Sequence, residues 1–462
     1  MNTKLTRSIT TLTAVLIVTS AFAQQPPPPG SQPPPTGSQP PPTGVQPPPT
    51  GVQPPPTSVQ PPPTGVQPPP TGVQPPPPGN QPPPNGNQPP PPPAQTAAPR
   101  IGAPLTGLTA EQLASFNDGR ADFVMAERPN TGLGPIFNNV SCVSCHRGPA
   151  PGGSSRINVT RFGLTTADGF DPLADLGGSL LQLRAIAPAA REHIPAQANT
   201  VALRQTTPLF GLGLIEAIPD DTIRALADRP EVDGVKGRAA EVVDIATGEL
   251  RVGRFGWKNQ HATLLSFSAD AYLNEMGITN RFFSTENAPN GDAALLARFD
   301  RVADPEDRTN PNTGLDGVDR LTNFQRLLAP PVARALTANG TAGRALFTTV
   351  GCAQCHVPNL QTGSSDIAAL SNQSIALYSD LLLHDMGTLG DGIPQADAGP
   401  NEFRTPPLWG LSTTAPYLHD GRAGNVDRAI RAHAGEGNVA RQRYEALTNT
   451  QHAQLLEFLR SL

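Results

Sequence analysis

Two pentads of one pattern, Cys142-Val-Ser-Cys145-His146 and Cys352-Ala-Gln-Cys355-His356, contain all four cysteines of the chain. Two thiols three positions apart, followed at once by an imidazole, suit covalent haem attachment. The sulfurs add to the porphyrin vinyl groups, and the adjacent histidine is held under the ring as an axial ligand of iron. The spacing therefore predicts two covalently bound haem c groups, one on Cys142, Cys145 and His146, the other on Cys352, Cys355 and His356. A zinc site would need the two cysteine pairs to close one tetrahedron, with no use for a histidine fixed after each. A disulfide framework has no reason to keep that histidine either.

In bacteria such attachment takes place outside the cytoplasmic membrane, and the N-terminus carries a matching address. Lys4 and Arg7 precede an apolar run through Ala14-Val-Leu-Ile-Val18, which ends in Ala21-Phe-Ala23. Residues 1–23 read as a signal peptide cut before Gln24. No cysteine follows the cut to take a lipid anchor, and no other apolar stretch is long enough to span a bilayer. The expectation is a mature chain without a transmembrane segment, periplasmic or secreted. A formal net charge of −5 and the lack of a basic block argue against nucleic acid as a partner. Residues 24–98 form a Pro-rich linker of heptads such as Gln46-Pro-Pro-Pro-Thr-Gly-Val52. The prolines forbid a helix, and glycine at every seventh position excludes collagen, which leaves a disordered polyproline II tether. It is either a spacer holding the rest away from a wall or partner, or a solvated leader.

The elements that must position the two pentads follow in order. Thr109 and Gln112 form a capping box ahead of Leu113 and Phe116, predicting a helix before the first pentad. Gly343, Leu346, Phe347 and Val350 line one face of a helix that runs into Gly351 and the second pentad. A further capping box, Thr448 with Gln451, opens a C-terminal helix with Leu455, Phe458, Leu459 and Leu462 on one face. Between them the chain is rich in Gly, Pro and Asp with little alternation. The expected fold is mainly α and loop-rich, with two cytochrome c-like haem domains related by duplication: residues 99–335, with insertions, and residues 336–462. The duplication also shows in Pro208-Leu-Phe-Gly-Leu212 and Pro407-Leu-Trp-Gly-Leu411, each preceded by an arginine, Arg204 and Arg404.

Several longer stretches carry a family resemblance. Leu133-Gly-Pro-Ile-Phe-Asn-Asn-Val-Ser-Cys142, the segment from Pro208 to Pro219, Gly253-Arg-Phe-Gly-Trp-Lys258, Asp380-Leu-Leu-Leu-His-Asp-Met-Gly387 and Phe403-Arg-Thr-Pro-Pro-Leu-Trp-Gly410 together resemble the di-haem oxidoreductase family, also labelled thiol oxidoreductase. A weaker likeness, carried by Thr414-Ala-Pro-Tyr-Leu-His-Asp-Gly421, is to bacterial di-haem cytochrome c peroxidases. In those enzymes a Met or Tyr at a set distance beyond the histidine of that stretch is the second axial ligand of the C-terminal haem. Here the position is His433, so the likeness implies a His356/His433 pair, with Met386 and His384 as rivals. A bis-histidine iron passes electrons rather than binding substrate. Thr414 and Pro416 match positions whose backbone carbonyls hold a calcium ion in the peroxidases, and carbonyl oxygens suit that cation.

For the first haem, His146 is the proximal ligand. His193 and His261 lie in no stretch that the resemblance supports as a distal ligand. An open sixth position is what chemistry at iron requires. A carboxylate beside that position would move the peroxide proton. Glu216 is the candidate, with Arg204 as charge stabiliser. Either Trp257 or Trp409 could relay electrons between the rings. The expected function is a periplasmic di-haem oxidoreductase in which the C-terminal haem supplies electrons to an N-terminal haem that reduces hydrogen peroxide. A small redox protein or the quinol chain would be the donor. The alternatives are a non-catalytic electron-transfer cytochrome and a thiol oxidoreductase, although no free cysteine is left to form a mixed disulfide.

Overall fold

A computed structural model describes residues 100–302 and 308–462. The signal peptide and the Pro-rich linker lie outside the described residues. Each helix predicted from a capping box forms with that box. Helix α1 (Ala110–Val124) opens on Thr109, whose hydroxyl accepts from Gln112 N at 3.2 Å while the Gln112 side chain accepts from Thr109 N at 3.0 Å. Such a cap is worth about 1 kcal/mol. Downstream lie α2 (Leu212–Glu216), α3 (Leu264–Met276) and α4 (Gly317–Leu327). Then come α5 (Ala338–Val350), α6 (Val426–Arg431) and α7 (Asn449–Ser461), the last opening on the Thr448–Gln451 box.

Helix α1 packs on α4, and α5 packs on α7, in the same way. Both crossings are made by a glycine. A Cβ on Gly119 would stand 2.0 Å from the Arg320 carbonyl oxygen, and one on Gly343 would stand 2.0 Å from that of Gln454. Four residues after each glycine comes a phenylalanine. Phe123 meets Phe324 at 4.6 Å between ring centroids, and Phe347 meets Phe458 at 5.5 Å. The same phenylalanines face the two pentads, with Phe123 6.2 Å from the His146 ring and Phe347 6.5 Å from that of His356. Even the hydrogen bonds that tie the Pro-Leu-aromatic-Gly-Leu segments down correspond: Gly211 N donates to Leu328 O at 3.1 Å and Gly410 N to Leu462 O at 3.0 Å. The two apolar cores centre on these helix pairs, one including Phe116, Phe123, Leu321 and Phe324, the other Phe347, Leu455, Phe458 and Leu459. Each fully buried side chain of this size contributes about 1.5–3 kcal/mol.

The expectation of a mainly α fold is overturned. Twelve strands in five sheets occur among the described residues. The largest sheet is built around β1 (Asn158–Thr166), which is antiparallel to β2 (Gly169–Asp171), β3 (Leu180–Leu181) and β4 (Thr200–Gln205). A hairpin of β5 (Ala240–Val243) and β6 (Leu250–Gly253) follows, and β7 (Leu383–Asp385) pairs with β8 (Glu402–Arg404). Most of these strands have two to four residues, too few to display a period of two. In β1, the longest, alternation is broken because polar side chains such as Arg161 line a cavity instead of facing water. All described residues belong to one compact unit, and no helix among them is long and apolar enough to cross a membrane.

Candidate functional site

Gly351 adopts φ +104° and ends α5 immediately before Cys352, a backbone conformation that only glycine takes without strain. The second pentad then turns so that His356 N donates to Cys352 O at 2.9 Å, and in the first pentad His146 N does the same to Cys142 O at 2.9 Å. The two pentads line two different cavities. Cys142, Cys145 and His146 face one of about 170 Å³, and Cys352, Cys355 and His356 face one of about 250 Å³. No disulfide joins any two of the four cysteines, and the two pairs line different cavities, so neither a disulfide framework nor a single zinc tetrahedron is formed. Burial pushes the Cys145 thiol up to about 11 and that of Cys352 to about 12, so both stay protonated.

Three histidines share one arrangement. The Nδ1 of His146 donates to Gly153 O at 3.2 Å, that of His356 to Tyr378 O at 2.9 Å, and that of His433 to Ala429 O at 2.8 Å. A carbonyl only accepts, so the proton sits on Nδ1 and the Nε2 lone pair is left for a metal. Burial lowers all three, His146 and His356 to about 4, so each imidazole is neutral at pH 7. His356 and His433 line the second cavity together, among apolar groups that include Leu408, Trp409, Val426 and Ile430. Met386 and His384 line it too. His384, however, has Nδ1 on Glu436 Oε2 at 2.7 Å and Nε2 on Asp380 Oδ2 at 3.1 Å. Both nitrogens are engaged, and these hydrogen bonds overcome burial and raise its pKa well above the ordinary value. His384 is thereby removed as a rival ligand.

Among the described residues His146 is the one histidine that lines the first cavity. His193 is exposed, and His261 has Nδ1 on Ser266 Oγ at 2.9 Å and Nε2 3.5 Å from Asp270. Met276 and Tyr272 also reach the wall. Glu216 does not line it. Its carboxylate takes Arg326 Nε at 2.6 Å and Leu264 N at 2.8 Å, tying α2 to α3 and α4, so the structure does not bring it to the cavity in which the expected proton transfer would take place. Counting onward from Pro208 locates the residue but not the direction of its side chain. Arg204 does line the first cavity, yet its guanidinium is held by Asp391 at 2.7 Å, by Ile393 O at 3.1 Å and by Gln395.

The carboxylates that do face the first cavity are Asp270 and Glu275, both on α3. Asn138 Nδ2 donates to Glu275 Oε2 at 2.8 Å, and burial raises the Glu275 pKa above the usual carboxylate range. Their signal in the sequence is two acids within Ser266-Phe-Ser-Ala-Asp-Ala-Tyr-Leu-Asn-Glu-Met276, an otherwise largely apolar helix. Trp257 lines both cavities, as do Gln205, Thr206 and Thr207, and its Nε1 donates to Gln205 O at 2.8 Å. It stands in the partition, whereas Trp409 lines the second cavity alone and packs over Gly211. Thr414 and Pro416 border the second cavity, and the Pro416 carbonyl accepts from Gln205 Nε2 at 2.8 Å.

Two cavities, each with a thiol pair and a neutral histidine whose Nδ1 is anchored on a backbone carbonyl, define a protein with two haem sites. The family described as "Di-haem oxidoreductase, putative peroxidase" matches residues 192–462, and the chain belongs to it. It is thus an oxidoreductase with haem cofactors, peroxidase-like in kind. No curated protein matches. Among solved structures it is similar to hydrazine synthase of Kuenenia stuttgartiensis, at 16% identity over 82% of this chain and 100% of that one, TM-score 0.35. It is also similar to a MauG-like protein associated with microbial copper homeostasis, at 17% identity over 78% of this chain and 92% of that one, TM-score 0.35. A third is the di-haem peroxidase BthA of Burkholderia thailandensis, at 15% identity over 76% and 86%, TM-score 0.35. Superpositions this loose carry no argument about residues.

Proposed function

We propose that the chain is an exported di-haem c-type peroxidase in which hydrogen peroxide is reduced in the first cavity and electrons enter through the second. The observation that carries this reading is the asymmetry of the two cavities. The second holds two histidines whose Nδ1 is anchored on a backbone carbonyl, His356 and His433, with His419 and His384 also on its wall, while the first has His146 alone together with Glu275, Asp270 and Arg161. Haem bound in each cavity would supply iron that changes oxidation state and, in the first, a place for peroxide.

The residues divide the remaining work. Cys142 and Cys145, and Cys352 and Cys355, would hold the rings, and His146, His356 and His433 would hold iron. Reduction of one peroxide to two waters consumes two electrons and two protons. Glu275, facing the first cavity with a raised pKa, is the group to take a proton from one peroxide oxygen and return it to the other. Trp257, in the partition, lies on the route for electrons between the cavities. A small redox protein or a quinol-linked donor would supply them. Calcium at the Thr414 and Pro416 carbonyls would share the Pro416 oxygen with Gln205.

The test is peroxide turnover by the haem-loaded protein with a reduced small cytochrome or a chemical donor, alongside the spin state of each haem. Turnover, with one high-spin haem that binds cyanide, supports the proposal. Two low-spin haems inert to cyanide would replace it by an electron-transfer cytochrome, with Met276 the first residue to examine as a sixth ligand.

A further inference from the structure

A buried guanidinium without a counterion costs several kcal/mol, so such a group marks where an anion belongs. Three arginines are buried among the described residues, Arg204, Arg254 and Arg404. Arg204 is paired with Asp391 and Arg254 with Asp220. Arg404, only 7% exposed, has no carboxylate partner among the described residues. Its Nε donates to Gly256 O at 2.9 Å and its Nη1 to Thr405 O at 3.4 Å, which uses two of five N–H donors. Burial alone pulls its pKa down to about 10, which still leaves it charged at neutral pH. It lines the second cavity.

The first cavity has a counterpart that the sequence does not advertise. Arg204 occupies the position equivalent to Arg404, before the first Pro-Leu-aromatic-Gly-Leu segment, but Asp391 has neutralised it. Arg161 lies diagonally from Arg204 on the same face of the sheet, because Val159 pairs with Arg204 and Arg161 with Ala202. It too lines the cavity, and among the described residues no carboxylate forms a direct ion pair with it, although Asp270, Glu275 and Asp391 are near enough to favour its charge. Its Nη1 donates to Ser179 Oγ at 3.3 Å, and its Nε is shut off from solvent with no partner. Each cavity thus has on its wall one arginine to which no carboxylate among the described residues is hydrogen-bonded, Arg161 feeling Asp270 and Glu275 only from a distance, and the carboxylates that a haem brings with it are its two propionates.

We infer that Arg404 in the second cavity and Arg161 in the first each bind a propionate of the haem held there, an assignment that rests on the two-haem reading above. Neutralisation on the spot would let the propionate enter a largely apolar cavity, and the fork geometry of arginine suits a carboxylate. A cation fixed on the propionate also makes the ferrous state easier to reach.

The experiment compares Arg404→Leu, Arg404→Lys, Arg161→Leu and Arg161→Lys with the wild type, each produced in a host that matures c-type haems. Haem per chain, the midpoint potential of each haem and the propionate bending bands in resonance Raman are measured. Arg404→Leu should keep two haems, lower the potential of the second alone and shift its propionate band. Arg161→Leu should do this to the first. The lysine variants should recover the potential but not the band, since lysine offers a point charge in place of a fork. Two loaded haems with unchanged potentials and bands in all four variants would overturn the inference. If a leucine variant fails to accumulate, the band of its lysine counterpart decides, and an unchanged band counts against the assignment. A wild-type chain without haem would instead overturn the reading beneath it.

Discussion

Replacing Gly343 by alanine adds one methyl group where α5 crosses α7. Helix propensity alone predicts a gain of about 0.8–1.0 kcal/mol, because glycine is the poorer helix former. The crossing predicts the opposite. The new Cβ would stand 2.0 Å from the Gln454 carbonyl oxygen and 2.9 Å from Phe458 Cβ. A carbon–oxygen contact needs about 3.3 Å. More than 1 Å is missing, and backbone on the far side cannot step aside as the end of a flexible side chain would. Overpacking of this kind costs about 1–3 kcal/mol and at times more. Parting the helices also loosens Phe347 from Phe458, and hence the wall beside His356. The expected net loss, the overpacking cost less the propensity gain, is about 1 kcal/mol. Thermal unfolding of the haem-loaded protein measures it, with Gly424→Ala as control, since nothing lies within 4 Å of a Cβ there. Gly343→Ala should melt below the wild type and Gly424→Ala should not. Gly119→Ala should behave like Gly343→Ala, because its Cβ meets Arg320 O at the same 2.0 Å. If Gly343→Ala melts at or above the wild type, the reasoning about the crossing fails.

Glu275→Gln should slow peroxide turnover by about 10²–10⁴-fold. Its burial-raised pKa puts the acid limb of the wild-type pH profile above that of an ordinary glutamate, and the variant should lack this limb; an unaltered profile would exclude Glu275. Glu216→Gln should leave turnover unchanged and cost about 1–3 kcal/mol of stability by unpairing Arg326, so a slowed but equally stable enzyme would restore Glu216 to the chemistry. His433→Ala should keep both haems and convert the second from low to high spin, visible in electronic and paramagnetic resonance spectra; a second haem that stays low-spin would transfer the ligand role to Met386. His384, with its raised pKa, stabilises the fold fully below its unfolded value near 6.5, and the contribution is lost as pH rises through the folded value. The stability gap between wild type and His384→Gln should therefore be widest at mildly acid pH and shrink on the alkaline side; a gap that grows with pH would contradict the protonated His384.

What the sequence made legible were features that depend on near neighbours. The capping boxes Thr109–Gln112 and Thr448–Gln451 involve residues three apart, and both form. The two cysteine pairs and His433 are placed by local spacing or by a resemblance, and the structure brings them to cavity walls. Strands of two or three residues carry no readable period, so the sheets stayed hidden. The direction of a carboxylate is a tertiary property, so the sequence does not show that Glu216 turns to Arg326 and Glu275 to the first cavity. One signal was present and unused. Gly119-Arg-Ala-Asp-Phe123 and Gly343-Arg-Ala-Leu-Phe347 are nearly the same pentapeptide, and Leu321, Phe324, Arg326 and Leu328 recur in register as Leu455, Phe458, Arg460 and Leu462. These repeats mark the two glycine crossings. Arg404 stood out only as the arginine before a repeated segment, and Arg161 not at all, because the lack of a hydrogen-bonded carboxylate is visible only once the neighbours are in place.

The most direct test of the account is the intact mass of the protein after purification under denaturing conditions from a host that matures c-type cytochromes. The account predicts the mass of the processed chain plus two haems, falling by one haem in Cys142→Ala/Cys145→Ala and by one in Cys352→Ala/Cys355→Ala. A wild-type mass equal to that of the bare chain would contradict it.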